Sequence, residues 1–198
     1  MQAAPQGCDR PRCQMPATGH ADPRVTLAAR FARARAWRGS CPVGEAWLRS
    51  GRGGGWSAAQ CLEHLNLTSE AMLPRVEAGL EQARRLAGQA RERRPRRDPV
   101  GWLLALGSGP RVWWRLRTPA AFAPSPQLDP AAVVDRFRRL QDRWLHVVEA
   151  AEGLPLDRVK IRSPFDARVS YNLLSALDVA AAHQERHLAQ AERALGHA

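Results

Sequence analysis

Two histidines four residues apart, in His183-Gln184-Glu185-Arg186-His187, carry the first chemical signal of this chain. On a helix that spacing puts both imidazoles on one face, one turn apart, within reach of a single metal ion. At about 100° per residue, Leu173, Ala176, Ala180, His183, Ala191 and Ala194 fall within about 40° of His187. Asp178, Glu185, Arg186, Glu192 and Arg193 fall on the far side. The pair is therefore expected to face the core, among small side chains that leave room beside it. Buried imidazoles need polar partners, and a metal would supply them. Carboxylates or backbone groups would serve as well, so the spacing alone leaves an ordinary half-buried pair open.

A third histidine, His64, sits in Trp56-Ser57-Ala58-Ala59-Gln60-Cys61-Leu62-Glu63-His64-Leu65. Ser57 followed three residues later by Gln60 reads as a capping box, so a helix starts here and His64 lies two turns in. Cys61, Leu65, Thr68, Met72 and Val76 make its inner stripe, with His64 at the edge. One histidine from this helix and two from another would give three nitrogen ligands and an open fourth position. Such a site suits a metal that binds water or substrate, whereas structural zinc sites close with four protein ligands. Nothing in the spacing makes the two helices neighbours, and a satisfied edge histidine is the other reading of His64.

Three stretches, in this order, resemble the DinB-like (DNA-damage-inducible) four-helix bundles, in which three histidines bind a divalent metal. They are Trp56-Ser57 through His64-Leu65, Arg117-Thr118-Pro119-Ala120-Ala121-Phe122, and His183 through Gln190. The resemblance covers roughly residues 22 to 195 and implies His64, His183 and His187 as metal ligands. It also implies an all-α four-helix bundle with a long Trp- and Pro-containing connection between the second and third long helices. Similar proteins include thiol S-transferases that use bacillithiol, mycothiol or glutathione, and metal-dependent hydrolases. The expected cofactor is a divalent ion, zinc or nickel first, although three imidazoles suit iron and others too. The expected partners are a small-molecule thiol and an electrophilic substrate. Hydrolysis by metal-bound hydroxide is the alternative activity, and a non-catalytic metal- or ligand-binding bundle in a stress response is the alternative class. Gln60, Glu63 and Gln184 are candidates for supporting groups without an assigned role.

The rest of the composition narrows the classes. At 198 residues, 44% of them apolar, the chain can bury one sizeable core. No apolar run approaches the roughly 18 residues that span a bilayer, and the N-terminus lacks a signal-peptide core, so a cytoplasmic location is expected. The net charge of +11 would suit nucleic acid. However, Lys160 is the only lysine among 30 basic residues, which reads as the arginine bias of a GC-rich genome. The densest cluster, Arg91, Arg93, Arg94, Arg96 and Arg97, has no interleaved aromatics of the kind that stack bases. No specific nucleic-acid partner and no membrane partner are expected, and the protein is expected to be a monomer or homodimer. Four cysteines in such a chain do not read as a disulfide framework. Cys61 is expected to be a small core residue, while Cys8 and Cys13 belong to a tail.

The elements that must position the histidines follow from caps and periodicity. Residues 1–21 read as a disordered tail, and 22–198 as the helical bundle domain. Asp22-Pro23 starts a helix with Leu27, Phe31 and Ala34 on one face. A loop ends at Arg52-Gly53-Gly54-Gly55. The next helix is expected from Ser57 to about Arg94, kinked or divided at Pro74. Asp98-Pro99 opens a short apolar segment, and the aromatics Trp102, Trp113, Trp114 and Phe122 of this connection are expected to plug one end of the bundle or wall a pocket. An interfacial membrane helix through Trp113-Trp114-Arg115-Leu116-Arg117 is a further reading. Asp129-Pro130 starts a helix with Val133, Phe137, Leu140, Trp144 and Val148 at core spacing. After a connector at Val159–Pro164, Ser170 is expected to cap the last helix.

Overall fold

The computed structural model describes residues 23–39, 41–88, 94–109 and 118–196. Five helices make up most of it: α1 (Pro23–Ala36), α2 (Ala58–Ala87), α3 (Pro99–Ser108), α4 (Pro130–Ala150) and α5 (Leu173–Ala194). Between α4 and α5 lies an antiparallel hairpin, β1 (Lys160–Arg162) with β2 (Ser170–Asn172), in which Ile161 faces Tyr171. Helices α1 and α2 each pack on both α4 and α5, so the four close into a ring around one core. The shorter α3 packs on the outside of α5. This is an all-α bundle, with the hairpin as its only sheet among the described residues.

The helix starts follow the sequence signals. Ser57 and Gln60 form a reciprocal capping box: Ser57 Oγ accepts from the Gln60 N–H at 3.2 Å, and Gln60 Oε1 accepts from the Ser57 N–H at 3.0 Å. Asp98 and Asp129 cap α3 and α4, each followed by proline at the first helical position. The cap expected at Asp22 lies outside the described residues, as do residues 1–21, Trp113 and Trp114. The expected stripes are inside: Leu27, Phe31 and Ala34; Cys61, Leu65, Thr68, Met72 and Val76; Val133, Phe137, Leu140, Trp144 and Val148 are all buried.

Four expectations need correction. α2 ends at Ala87, short of Arg94, and of the two readings at Pro74 the division fails, for the helix runs through it as one element. Neighbouring helices hold the flanking turns in place there: Met72, Leu73 and Val76 are buried on either side of the proline. The cap of α5 is Asn172, not Ser170, and its Oδ1 accepts from the Ser175 N–H at 2.8 Å. Pairing of Ser170 with Arg162 keeps that residue in the hairpin and delays the helix. Trp102 plugs nothing, for it is 55% exposed. The far side of α5 is enclosed along its first half as well. Because α1, α2 and α3 surround its first half, every residue from Leu173 to Ala182 is buried, Asp178 included. Asp178 is neutralised by Arg30 of α1 at 2.5 Å and by Arg97 at 2.8 Å.

The starts of α3 and α5 are tied together. Asp98 accepts from the Gly101 N–H at 2.6 Å and from the Asn172 N–H, while Asn172 Nδ2 donates to the Arg96 carbonyl at 2.7 Å. The approach is close because position 101 is glycine: a Cβ there would fall 2.0 Å from Ser175 Cβ. The sequence thus seats α3 on α5 through its smallest residues.

Candidate metal centre

His64, two turns into α2, meets His183 and His187 of α5 where these helices pack together. The three rings form a triangle, with centroids 5.0 Å apart for His64 and His183, 4.6 Å for His64 and His187, and 4.5 Å for His183 and His187. One ligand atom from each lies within 4.8 Å of the others. His64 and His187 are buried, and His183 keeps a solvent-reachable edge.

The tautomer of His64 follows from its partner. Its Nδ1 lies 2.8 Å from the Phe122 carbonyl oxygen, which can only accept, so Nδ1 carries the proton and donates it. Nε2 is left with its lone pair, aimed at His183 Nε2 at 3.2 Å. Two nitrogens bonded to one tetrahedral ion at about 2.0–2.1 Å would stand about 3.3 Å apart, so that separation fits a shared ion. His187 Nδ1 is buried without a hydrogen-bond partner. An imidazole pair at bonding distance and an orphaned ring nitrogen are what a nitrogen-ligated metal would satisfy, and the residues present fit a divalent ion.

All three imidazoles are held neutral. Desolvation lowers the pKa of His64, with the Phe122 carbonyl opposing. Desolvation, then the charges of His64 and Arg186, takes His183 down to about 3. His187 falls well below its ordinary value through desolvation first, then His183, His64 and Arg186; Gln190 opposes part of this, though Nδ1 itself remains without a partner. Neutral rings present lone pairs at pH 7, the state that ligation requires.

The walls come from loops as much as from helices. Trp56, just before the capping box, lies 4.9 Å from the His64 ring and 5.9 Å, stacked, from His187. The turn before it is possible because Gly53 and Gly54 take left-handed φ of 69° and 73°. On another side, Phe122 meets Phe165 edge to face at 4.8 Å, and Phe165 approaches His183 at 6.4 Å. A small cavity opens beside His183, lined by Thr68, Ser69, Met72, Phe165, Val179 and Gln184 among others.

Of the sequence candidates, His64, His183 and His187 come together. Gln184 reaches the cavity, with both amide atoms buried and unpartnered. Gln60 does not, because the capping box occupies it. Glu63 turns away to Arg136 of α4 at 2.9 Å and to Asn66. Cys61 stays in the apolar core, where burial pushes its thiol up to about 12, and it is not among the clustered ligands. Cys8 and Cys13 lie outside the described residues. Trp56 was legible only as part of a motif, and Phe165 carried no sequence signal at all: its place depends on the hairpin that presents it.

A family model described as the DinB superfamily matches residues 26–191. The chain belongs to the DinB superfamily. No curated protein and no solved structure matches it significantly. The match spans all three histidines, so this DinB-superfamily chain combines the family's helical fold with a three-histidine group that could hold a metal ion. None of the described helices is long and apolar enough to cross a membrane.

Proposed function

We propose that His64, His183 and His187 hold one divalent ion, zinc or nickel, and that the protein transfers a low-molecular-weight thiol to an electrophile in the cytoplasm. The observation that carries this reading is the convergence of three neutral imidazoles with no fourth His, Cys, Asp or Glu in the group among the described residues. An ion so held would have a coordination position left for a thiol and would lower that thiol's pKa. In such a transfer the S–H proton would pass to solvent, the sulfur would form a bond to the electrophilic carbon, and the leaving group would depart with its bonding electrons.

The chain's own residues orient and enclose. The Phe122 carbonyl fixes the His64 ring so that Nε2 faces the centre. Trp56 covers two of the imidazoles, and Phe122 with Phe165 walls the approach to His183, which restricts water. The unpartnered Gln184 amide, able both to donate and to accept, can hold a polar group of the substrate in the cavity.

The test is metal analysis and thiol conjugation on the wild type beside a His64→Ala, His183→Ala, His187→Ala variant. The wild type should carry about one divalent ion per chain and conjugate a thiol to chlorodinitrobenzene or monochlorobimane faster than the variant. Chelator should abolish that rate while helical circular dichroism stays constant. Bound metal with histidine-dependent turnover of esters or amides alone would favour hydrolysis. Bound metal without any histidine-dependent rate would leave a binding module, and no metal would reduce the three histidines to core residues.

A further inference from the structure

Helix α3 is built inside out. Its sequence, Pro99-Val100-Gly101-Trp102-Leu103-Leu104-Ala105-Leu106-Gly107-Ser108, contains no charge, and it buries only Gly101 and Ala105. Its large side chains point away from the protein: Val100 is 48% exposed, Trp102 55%, Leu103 63%, Leu104 36% and Leu106 59%. At about 100° per residue these five cover an arc of about 200°. They include five of the eight exposed large hydrophobic residues among those described. An ordinary surface helix would place these leucines inward, as α4 does with Leu140 and Val147. A continuous apolar patch of this kind on a water-soluble surface marks an interaction site.

We propose that the outer face of α3 docks on an anionic lipid surface, lying in its interfacial layer. Three observations select that occupant. First, the exposed apolar side chains span about 200° of the helix, wider than the i, i+3, i+4, i+7 stripe that a groove in a rigid partner takes. Second, its indole is suited to the boundary between headgroups and chains, where tryptophan concentrates. Third, the charge has one sign. Just before the helix stand Arg94, Arg96 and Arg97, of which Arg97 also meets Asp178 at 2.8 Å, and Asp98 is the one acid of that stretch, within a chain of net charge +11. Asp98 is spent on the α3 cap and on Asn172. Arginines beside an inserted helix attract anionic headgroups. The same charge opposes a two-fold contact between copies of this chain, which would bring both arginine sets together. At 10 residues α3 is too short to span a bilayer, so the helix lies on the surface. Such docking would depart from the sequence expectation of no membrane partner, since the exposure of the α3 leucines is a tertiary feature.

The experiment is co-flotation with vesicles of phosphatidylcholine mixed with phosphatidylglycerol, and with vesicles of phosphatidylcholine alone. The wild type should float with the mixed vesicles at low salt, at least tenfold more than with the neutral ones. A Leu103→Glu, Leu106→Glu variant and a Leu103→Ser, Leu106→Ser variant should each lose that binding at least tenfold; the second adds no charge. Both positions are exposed, so circular dichroism and metal content should match the wild type in both. Chelator should leave flotation unchanged, which keeps this test separate from the proposed metal chemistry. The proposal fails if no preference for anionic vesicles appears, or if binding survives both variants and is therefore due to arginine alone. It fails equally if sedimentation shows a dimer that the variants convert to monomer, since α3 then covers a second copy.

Discussion

Along the same three helices, α2, α4 and α5, the bundle changes chemistry twice. At one end Leu73, Val76, Leu80, Leu140, Trp144, Leu173 and Leu177 form an apolar cluster with Phe31 of α1, whose ring stacks on Trp144 at 5.0 Å. At the other end Leu62, Leu65, Phe137 and Leu188 pack around Trp47. Between them runs a polar stratum of His64, Thr68, Ser69, Gln141, Gln184 and His187, all buried. In the clusters both indole nitrogens are satisfied, Trp144 by Ser69 Oγ and Trp47 by the Pro42 carbonyl, each at 3.1 Å, while the buried Tyr171 hydroxyl lacks a hydrogen bond. In the stratum, both amide atoms of Gln141 and of Gln184 and the Nδ1 of His187 lack partners. Each such atom costs about 1–3 kcal/mol. The clusters therefore stabilise the fold, and the stratum is carried by them at a cost, which is the pattern of a site kept for binding rather than for stability.

The largest test of that contrast is Trp144→Ala, which removes the stacked ring from the apolar end. It should cost about 3–5 kcal/mol in chemical denaturation, and a loss below about 1 kcal/mol would mean that the cluster does not carry the fold. Acid comes next. The pKa of His183 is depressed to about 3 in the folded state against 6.5 when unfolded, and His64 and His187 shift in the same direction. Below about pH 6.5 the unfolded chain therefore binds protons that the folded chain refuses. Metal-free protein should be stable above that pH and lose stability as pH falls toward 3, by up to about 1.4 kcal/mol per pH unit for each histidine. A flat profile between pH 6.5 and 4 would mean that the stratum is hydrated and its imidazoles protonate freely.

A smaller effect of opposite sign is expected at Gln184. Gln184→Met keeps the volume and removes two orphaned polar atoms, so stability should hold or rise by about 1 kcal/mol, while thiol conjugation falls. A clear destabilisation would show that the amide has a partner after all. The smallest effect belongs to the surface. Arg143 binds Glu77 through three contacts of 2.7, 2.8 and 3.2 Å, but both side chains are more than two-fifths exposed. Arg143→Ala should cost less than about 1 kcal/mol.

Much of this was legible before any coordinates. The capping box at Ser57 and Gln60 and the Asp-Pro starts of α3 and α4 are local signals, because a cap needs only its own first turn. The i, i+4 spacing placed His183 and His187 together for the same reason. Residues whose role depends on distant chain were not legible. Glu63 looked available for the site, yet its partner Arg136 lies 73 residues away and draws it to α4. Ser170 looked like a cap until a strand claimed it.

What the sequence by itself determined is therefore one-dimensional: where helices begin, which face of each is apolar, and that three imidazoles occur on two such faces. Periodicity and capping act within a turn or two, so they can be read without knowing the neighbours. The tertiary structure decided which faces meet. It brought α2 against α5 so that three histidines share one centre, and set Trp56 and Phe165 around them. It also surrounded α5 so that Asp178 is buried, and seated α3 by its glycine and alanine, leaving its leucines outside. Those choices depend on how several surfaces pack at once, and small residues permit the close approaches that no local pattern records.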